Sequence, residues 1–454
     1  MPIDTDALAA LRAVETELDR RWPESRIEPS LSRIAALVDL LGMPQRSYPV
    51  LHIAGTNGKT SVARMLDALL REIGLRVGRY TSPHLQRVTE RIGLHGEPIS
   101  PERYVEAYQD IEQYVTLVDA GSPVPVSKFE VLTGMAFAAF ADAPVDAAVV
   151  EVGLGGSWDA TNVADAAVAA IAPVAVDHVN YLGSDIAGIA AEKAGIIKPG
   201  SVAVLAEQLP EVARVIAARS VEVGATVARE GMEFGVLHRD IAVGGQQVRL
   251  QGLGGVYDEI FLPLHGEHQA RNAVLALAAA EAFFGAGGHR SLDHDVVRAA
   301  FATVTAPGRL ERVRSAPSVL LDGAHNPHGA RALAAALREE FGFRRLVAVV
   351  GVMRDKDVAG ILAELEPVVD EVVVTASSSR RAMDVDKLAA VAQEAFGEHR
   401  LRVEPRLPAA IEAAVASAEE VAAGQNHISG AGVVITGSVA MIGEARTLFG
   451  RQPQ

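Results

Sequence analysis

The sequence predicts an α/β chain of two domains: a large one with a mostly parallel sheet and a phosphate-type loop (P-loop), and a smaller, Rossmann-like α/β one at the C-terminal side. Three observations carry that expectation. At 454 residues the chain is too long for one hydrophobic core. Unbroken apolar runs of strand length, "VLHIA" and "AAVVE" among them, alternate with helix-periodic segments, the pattern of a parallel sheet covered on both faces. A fresh strand–helix alternation begins after the linker-like "TAPGRLERV", which puts the domains at 1–308 and 309–454.

Taken in order, Val50 to Ala54 reads as a strand that runs into the Gly-rich stretch "GTNGKTS". Val62, Met65, Leu66, Leu69, Leu70 and Ile73 then recur on one helix face until Gly74. "LRVGRYTSPHL" is a second strand with Thr81 to Leu85 just past its end, and "FEVLTGMAFAAFA" is a buried helix. "VDAAVVEVG" is a strand ending near Glu151, and "DAAVAAIAPVAVDH" one ending before His178. Residues 232–263 read as short antiparallel strands punctuated by glycine, followed by a long helix from Gln269 to Phe284. "SVLLD", "RRLVAVVGVM", "DEVVVTAS" and "GAGVVITGS" supply the strands of the second domain. Ligands of open α/β sheets sit outside the carboxyl ends of the strands, and the P-loop, Ser82, Glu151 and His178 all fall at such ends.

Composition narrows the chemistry. The chain is 49% hydrophobic and 22% charged, as ordinary globular proteins are. Its formal charge of −15 repels nucleic acid and anionic membranes, so neither is an expected partner and anionic substrates need local basic sites. The absence of cysteine excludes disulfides and thiolate chemistry and fits a reducing compartment. The segment "MPIDTDALAALRAVETELDRRW" is charged and helix-periodic with no apolar signal core, and no apolar run reaches the length of about 18 residues that a membrane span needs. A cytoplasmic protein is expected.

Several residues have chemistry to offer. The common P-loop reads G-x-x-x-x-G-K-[ST], and here Ile53 stands where its first glycine belongs. Even so, strand, loop and helix surround Gly58-Lys59-Thr60, so Lys59 is expected on the terminal phosphates and the Thr60 hydroxyl on Mg²⁺. The alternative is a plain glycine turn with an exposed lysine. A carboxylate at Glu151 suits Mg²⁺; His178 is a less usual ligand, and Asp177 is the other candidate of that pair. Lys193 shares a helix face with Ile186, Ile189, Ala190 and Ile197. A buried amine has a depressed pKa and can add carbon dioxide to become a carbamate; the blander reading is a lysine that snorkels to water. Asp322, His325 and Asn326 lie at a strand–helix junction before Pro327, as a site or as a capping turn. Arg309 could clamp phosphate or be a solvated linker charge, and "TGSVAMIGEAR" reads as a packing turn.

Together "GTNGKTS", "TSPHL" with Glu90-Arg91 after it, "SKFE", "EVGLGGSWDATN", "DHVNYLG", "EKAGIIKPG", "HQARNA", "PGRLE" and "DGAHNPHG" resemble, in order, the folylpolyglutamate synthase / dihydrofolate synthase family within the Mur ligase superfamily. The P-loop of that superfamily resembles G-T-N-G-K-[ST], which accounts for Ile53. The resemblance implies nucleotide contacts at Asn57, Gly58, Lys59, Thr60, Ser61, Asn272, Arg309 and Asp322. It implies metal ligands at Thr60, Ser82, Glu151 and His178, with Lys193 carbamylated beside a metal. Pterin-side contacts fall on Ser82, Pro83, His84, Ser127, Lys128, Phe129, Glu130, Trp158, Asp159 and Ala160, and His325 near the incoming amino acid. Trp158 stands where relatives carry arginine or another polar residue.

The reaction so implied is amide ligation: ATP, two Mg²⁺ ions, an acyl phosphate of the folate or dihydropteroate, and L-glutamate as the amine, on a monomer whose small domain closes over the large one. Two rivals predict something else. A peptidoglycan-type ligase carries a uridine-nucleotide domain of about 100 residues before the P-loop, whereas 54 residues precede Gly55 here. A P-loop ATPase switch would hydrolyse ATP without any acceptor amine.

Overall fold

The computed structural model describes residues 5–23, 28–285, 291–423 and 430–454, so residues 1–4 of the expected N-terminal helix lie outside the described part. The chain forms two compact units, the first of residues up to 238 with 248–261 and 271–304, the second of 239–247, 262–270 and 305–454.

Eight strands make the sheet of the first unit: β1 (Val50–Ala54), β2 (Val77–Tyr80), β3 (Ile92–Leu94), β4 (Glu97–Pro98), β5 (Ala147–Glu151), β6 (Ala166–Ile171), β7 (Val202–Leu205) and β8 (Thr226–Arg229). Their order is β4-β3-β2-β5-β1-β6-β7-β8. From β2 to β8 every pairing is parallel, and only β3 and β4 run against their neighbours. The mostly parallel sheet read from the sequence is therefore present. All five residues of β1 and of β5 are buried, because helices cover both faces. The helix Lys59–Glu72 turns Val62, Met65, Leu66, Leu69 and Leu70 inward, each worth about 1.5–3 kcal/mol once buried. The expected buried helix is Lys128–Asp142. A second core packs Ile189, Ala190, Ile196 and Ile197 against β6 and β7.

β6 stops at Ile171, six residues before Asp177, although the apolar run continues. Pro173 has no N–H to offer a ladder, and its carbonyl instead accepts from Thr56 N–H in the P-loop at 2.9 Å. β9 (Gly235–Ala242), β10 (Gly245–Gln251) and β11 (Val256–Leu262) form a separate three-stranded sheet in the order β11-β10-β9.

The second unit holds β12 (Glu311–Ser315), β13 (Ser318–Leu321), β14 (Arg345–Val350), β15 (Glu371–Ala376), β16 (Leu401–Arg406) and β17 (Ala431–Thr436) in the order β12-β13-β17-β14-β15-β16. β12 occupies part of the stretch read as a linker; it pairs antiparallel with β13, and the other pairings are parallel. Leu320, Leu333, Leu346, Leu362, Val374 and Leu388 form the core between sheet and helices.

Candidate active site

Four adjacent parallel strands, β2, β5, β1 and β6, bring their carboxyl ends to one edge of the first sheet. Ser82 follows β2, Glu151 ends β5, the P-loop follows β1, and Asp177-His178 lie on the segment after β6. Topology alone thus gathers what the sequence had spread over about a hundred residues. A small cavity opens there, lined by Gly55, Thr56, Lys59, Gly153, Asp177, His178 and Lys193 among others.

The P-loop turn depends on Gly58, which takes φ +90° at the cap of the Lys59–Glu72 helix. A Cβ there would lie 2.5 Å from Asn272 Oδ1, so Asn272 is held against the loop. Asn57 is half-buried in the turn and Ser61 is buried one residue into the helix after Thr60. The Lys59 ammonium folds back on the loop, donating to the carbonyls of Gly55 and Thr56 at 3.0 and 3.2 Å. Thr60 Oγ1 donates to both oxygens of the buried Glu151 carboxylate, at 3.0 and 3.1 Å.

Lys193 is 5% exposed, on the Ile186–Ala194 helix, and its Nζ donates to Gly55 O at 3.0 Å. It does not snorkel. Two ammonium groups therefore share one carbonyl. Burial first, and then the charge of Lys59, lower the Lys193 pKa from 10.5 to about 7. His178 adopts a left-handed backbone, φ 53°, with its Nε2 3.9 Å from Asp177 Oδ2; such a conformation in a non-glycine residue is an outlier of the kind found at functional sites. Among the described residues, no three His, Asp or Glu side chains converge as a metal cluster.

The loop after β2 is held by Glu90, whose carboxylate accepts from Leu85, Gln86 and Arg87 N–H at 2.8, 3.0 and 2.9 Å. Arg91 Nε donates to His84 Nδ1 at 3.0 Å, and Pro83, joined to Ser82 by a cis bond, is exposed. Of the "SKFE" residues, Ser127 and Glu130 form a capping box at the Lys128–Asp142 helix. Glu130 also takes Arg33 Nε on both oxygens at 3.1 Å, a buried pair. Breaking such a pair costs about 3–5 kcal/mol, so this carboxylate is spent on holding the fold. Lys128 is paired with Asp19 at 2.5 Å. Phe129 faces inward, 6.0 Å from the Tyr80 ring and close against Gly153.

Trp158 packs over Gly155, and Ala160 opens a short 3₁₀ turn. Asp159 is 3% exposed and accepts from Leu154 N–H at 2.8 Å, from Thr161 N–H at 3.0 Å and from the Thr161 hydroxyl. Burial pushes its carboxyl pKa up, against these hydrogen bonds. The Thr161 hydroxyl is in turn 2.8 Å from Nε2 of His52, which is fully buried in β1. Sequence reasoning missed His52 and Thr161. The signal available was a lone histidine inside an otherwise apolar strand.

This loop is bonded to the end of the lysine helix: Ser157 N–H donates to Glu192 O at 2.9 Å and Asn162 Nδ2 to Gly195 O at 3.2 Å. A Cβ on Gly156 would sit 2.2 Å from Glu192 O and 2.9 Å from Lys193 Cα, with backbone on the far side that cannot swing away. Gly156→Ala is therefore expected to cost about 1–3 kcal/mol and to lower both Tm and turnover; a melting curve that superimposes on the parent's would show that the contact relaxes freely.

In the second unit, the buried Asp322 directly follows β13, and its oxygens accept from Leu310 N–H and Ala324 N–H, each at 2.9 Å. Burial raises its pKa, and the Arg309 charge opposes the rise. Arg309 Nη1 donates to Gly308 O at 3.0 Å, and His325 Nδ1 lies 2.8 Å from Gly323 O. Asn326 caps the Pro327–Glu340 helix. The predicted residues thus fall into two groups: Asn57 to Ser61, Ser82, Glu151, His178, Lys193 and Asn272 in the first unit, and Arg309, Asp322 and His325 in the second.

Comparison with known proteins bears on the fold and the family. Residues 127–280 match the Mur ligase middle domain, and residues 308–439 the Mur ligase glutamate ligase domain. A dihydrofolate synthase/folylpolyglutamate synthase of Mycobacterium tuberculosis is 61% identical over 466 residues, covering 99% of this chain and 96% of its own. The solved structure of the Mycobacterium tuberculosis folylpolyglutamate synthase complexed with ADP superimposes with a TM-score of 0.95 at 60% identity, over 99% of this chain and 100% of that one. E. coli FolC in complex with DHPP and ADP superimposes with a TM-score of 0.84 at 30% identity, over 99% of both chains.

Proposed function

Since the chain belongs to the folylpolyglutamate synthase / dihydrofolate synthase family of the Mur ligase superfamily, we infer that it uses ATP to join L-glutamate to folates. The finer reading is a bifunctional enzyme that also adds glutamate to dihydropteroate, as the printed names of several relatives combine the two activities. We further propose that residues 1–308 bind the pteridine and most of the nucleotide, and that residues 309–454 bind the glutamate and add Arg309 and Asp322 to the nucleotide contacts, on a cytoplasmic monomer without nucleic-acid or membrane partners. No helix among the described residues is long and apolar enough to cross a membrane.

One observation carries the reading: the P-loop, the Thr60–Glu151 pair and Lys193 meet at one sheet edge. In the reaction the substrate carboxylate attacks the γ-phosphorus of ATP, ADP leaves and an acyl phosphate forms. The glutamate amine then attacks the acyl carbon, losing a proton as phosphate departs. Lys59, released from Gly55 O and Thr56 O, meets the charge on the transferring phosphoryl group. Asn272 holds the turn at Gly58, Arg309 and Asp322 serve the nucleotide, and His325 orients the amine.

Mg²⁺ takes few protein oxygens and keeps waters and phosphate oxygens around it, and a hydroxyl paired with a buried carboxylate fits that habit. Thr60, Ser82 and Glu151 would hold one ion, and His178 with a carbamylated Lys193 a second. As an ammonium Lys193 cannot ligate a cation. As a carbamate it would both ligate and end the repulsion with Lys59. When bound, the ions neutralise phosphate charge. Glu151→Gln is expected to raise the Mg²⁺ concentration for half-maximal activity by about tenfold or more; an unaltered Mg²⁺ titration would remove Glu151 from the metal site.

The test is phosphate release from ATP with Mg²⁺ and L-glutamate, run in parallel with dihydropteroate and with tetrahydrofolate. Release with both is the expected result. Release with tetrahydrofolate alone would restrict the enzyme to polyglutamylation. ATP turnover that ignores acceptor and amine would overturn ligation in favour of an ATPase.

A further inference from the structure

A fully buried histidine that this reading does not use is His52, two residues before the end of the P-loop strand. It is 0% exposed, and burial, with some help from the charge of Lys198, lowers its pKa to about 3, so the ring is neutral. The hydrogen bonds determine its tautomer. The Thr161 hydroxyl has one proton and gives it to Asp159 Oδ1; to bond at 2.8 Å with Thr161 Oγ1, His52 Nε2 must then be the donor. Nδ1 is left unprotonated, buried and without a hydrogen-bond partner among the described residues. An orphaned acceptor in a strand core is a cost that leucine would avoid. What histidine contributes in exchange is the single N–H aimed at Thr161.

That N–H starts a chain that crosses 109 residues of sequence and ends at the cavity. It runs from His52 to Thr161, from Thr161 to Asp159, and through Leu154 N–H on Asp159 Oδ2 to Gly153 and Leu154, which line the cavity wall. We infer that His52 is a positioning residue: by locking the Thr161 rotamer it fixes the Asp159 carboxylate, and with it the 153–160 loop, for the pteridine substrate. This rests on the assignment of Trp158 to Ala160 to the pteridine side. Because the chain leaves β1 sideways and acts on the 153–160 loop, its loss should fall more heavily on the pteridine than on ATP, although Gly153 and Leu154 share their cavity with the P-loop.

The experiment measures KM for tetrahydrofolate, KM for ATP and Tm for His52→Leu, His52→Gln, Thr161→Val, Thr161→Ser, the double variant His52→Leu/Thr161→Val, and Asp159→Asn. His52→Leu and Thr161→Val should each raise the tetrahydrofolate KM about tenfold, the scale of one buried hydrogen bond, with a much smaller change in the ATP KM. The double variant should be no worse than either single one, because both cut the same chain. His52→Gln, which keeps an N–H donor, and Thr161→Ser should recover most of the loss, and being milder changes they test the inference even where the apolar variants fold poorly. A glutamine no better than leucine, an ATP KM that rises in parallel, or a lowered Tm with the tetrahydrofolate KM unchanged would each overturn it. Asp159→Asn with an unaltered tetrahydrofolate KM would instead strike the pteridine assignment beneath it.

Discussion

Lys59→Ala is expected to abolish ligation while leaving the fold intact. The Lys59 ammonium donates to the carbonyls of Gly55 and Thr56 within its own loop, and the residue is half-buried, so little packing is lost with it. Catalysis is another matter. The transferring phosphoryl group gathers negative charge in a site walled by protein, where a preorganised cation is worth far more than in water. Removal of one such group costs at least about a hundredfold in turnover. Arginine would not restore it, since a planar guanidinium cannot take the place of a compact ammonium inside a tight loop. Phosphate release at saturating ATP and Mg²⁺ measures this directly. A loss below about tenfold would mean that the loop binds nucleotide without contributing to the chemistry.

Lys193→Ala should be nearly as damaging, for a different reason. The wild-type amine is buried beside Lys59 with its pKa lowered to about 7. Near neutral pH a large share is therefore unprotonated, and only that form attacks carbon dioxide, its nitrogen bonding to carbon as the N–H proton leaves. The sign follows: more neutral amine at pH 8 than at pH 6, so added bicarbonate should activate carbon-dioxide-depleted enzyme more at pH 8. Stability moves with pH as well. With a folded pKa of about 7 and an unfolded one of 10.5, the unfolded chain binds more protons between those limits. Stability thus rises with pH across that window in the wild type, and the alanine variant should lose this rise. A short free carboxylate such as acetate should partly rescue turnover. Full activity in the alanine variant would sink the carbamate.

Much of this could be read from the chain, and the limits of that reading have a physical cause. The strand Val50–Ala54, the turn at Gly58 and the helix that begins at Lys59 lay open in the sequence because each depends on residues within a few positions: an apolar run, a glycine free to take positive φ, a 3.6-residue period. The same holds for Glu151 at the end of β5. β6 was read too long and β12 as a linker because apolar character does not tell which carbonyl a strand end will meet; Pro173 answered to Thr56 and β12 to β13. Partner choice is likewise beyond local reading. Thr60 finds Glu151 across 91 residues, Arg33 finds Glu130 across 97, His52 finds Thr161 across 109 and Lys193 finds Gly55 across 138. By itself, then, the sequence determined the elements and the residue types at their ends, since local backbone and side-chain preferences are short-ranged. Only the tertiary structure decided that Glu130 would serve Arg33, that Lys193 would be buried against Lys59, and that a histidine in the P-loop strand would reach the Asp159 loop. Those outcomes depend on the order β2-β5-β1-β6 and on burial, which the whole packed chain sets together.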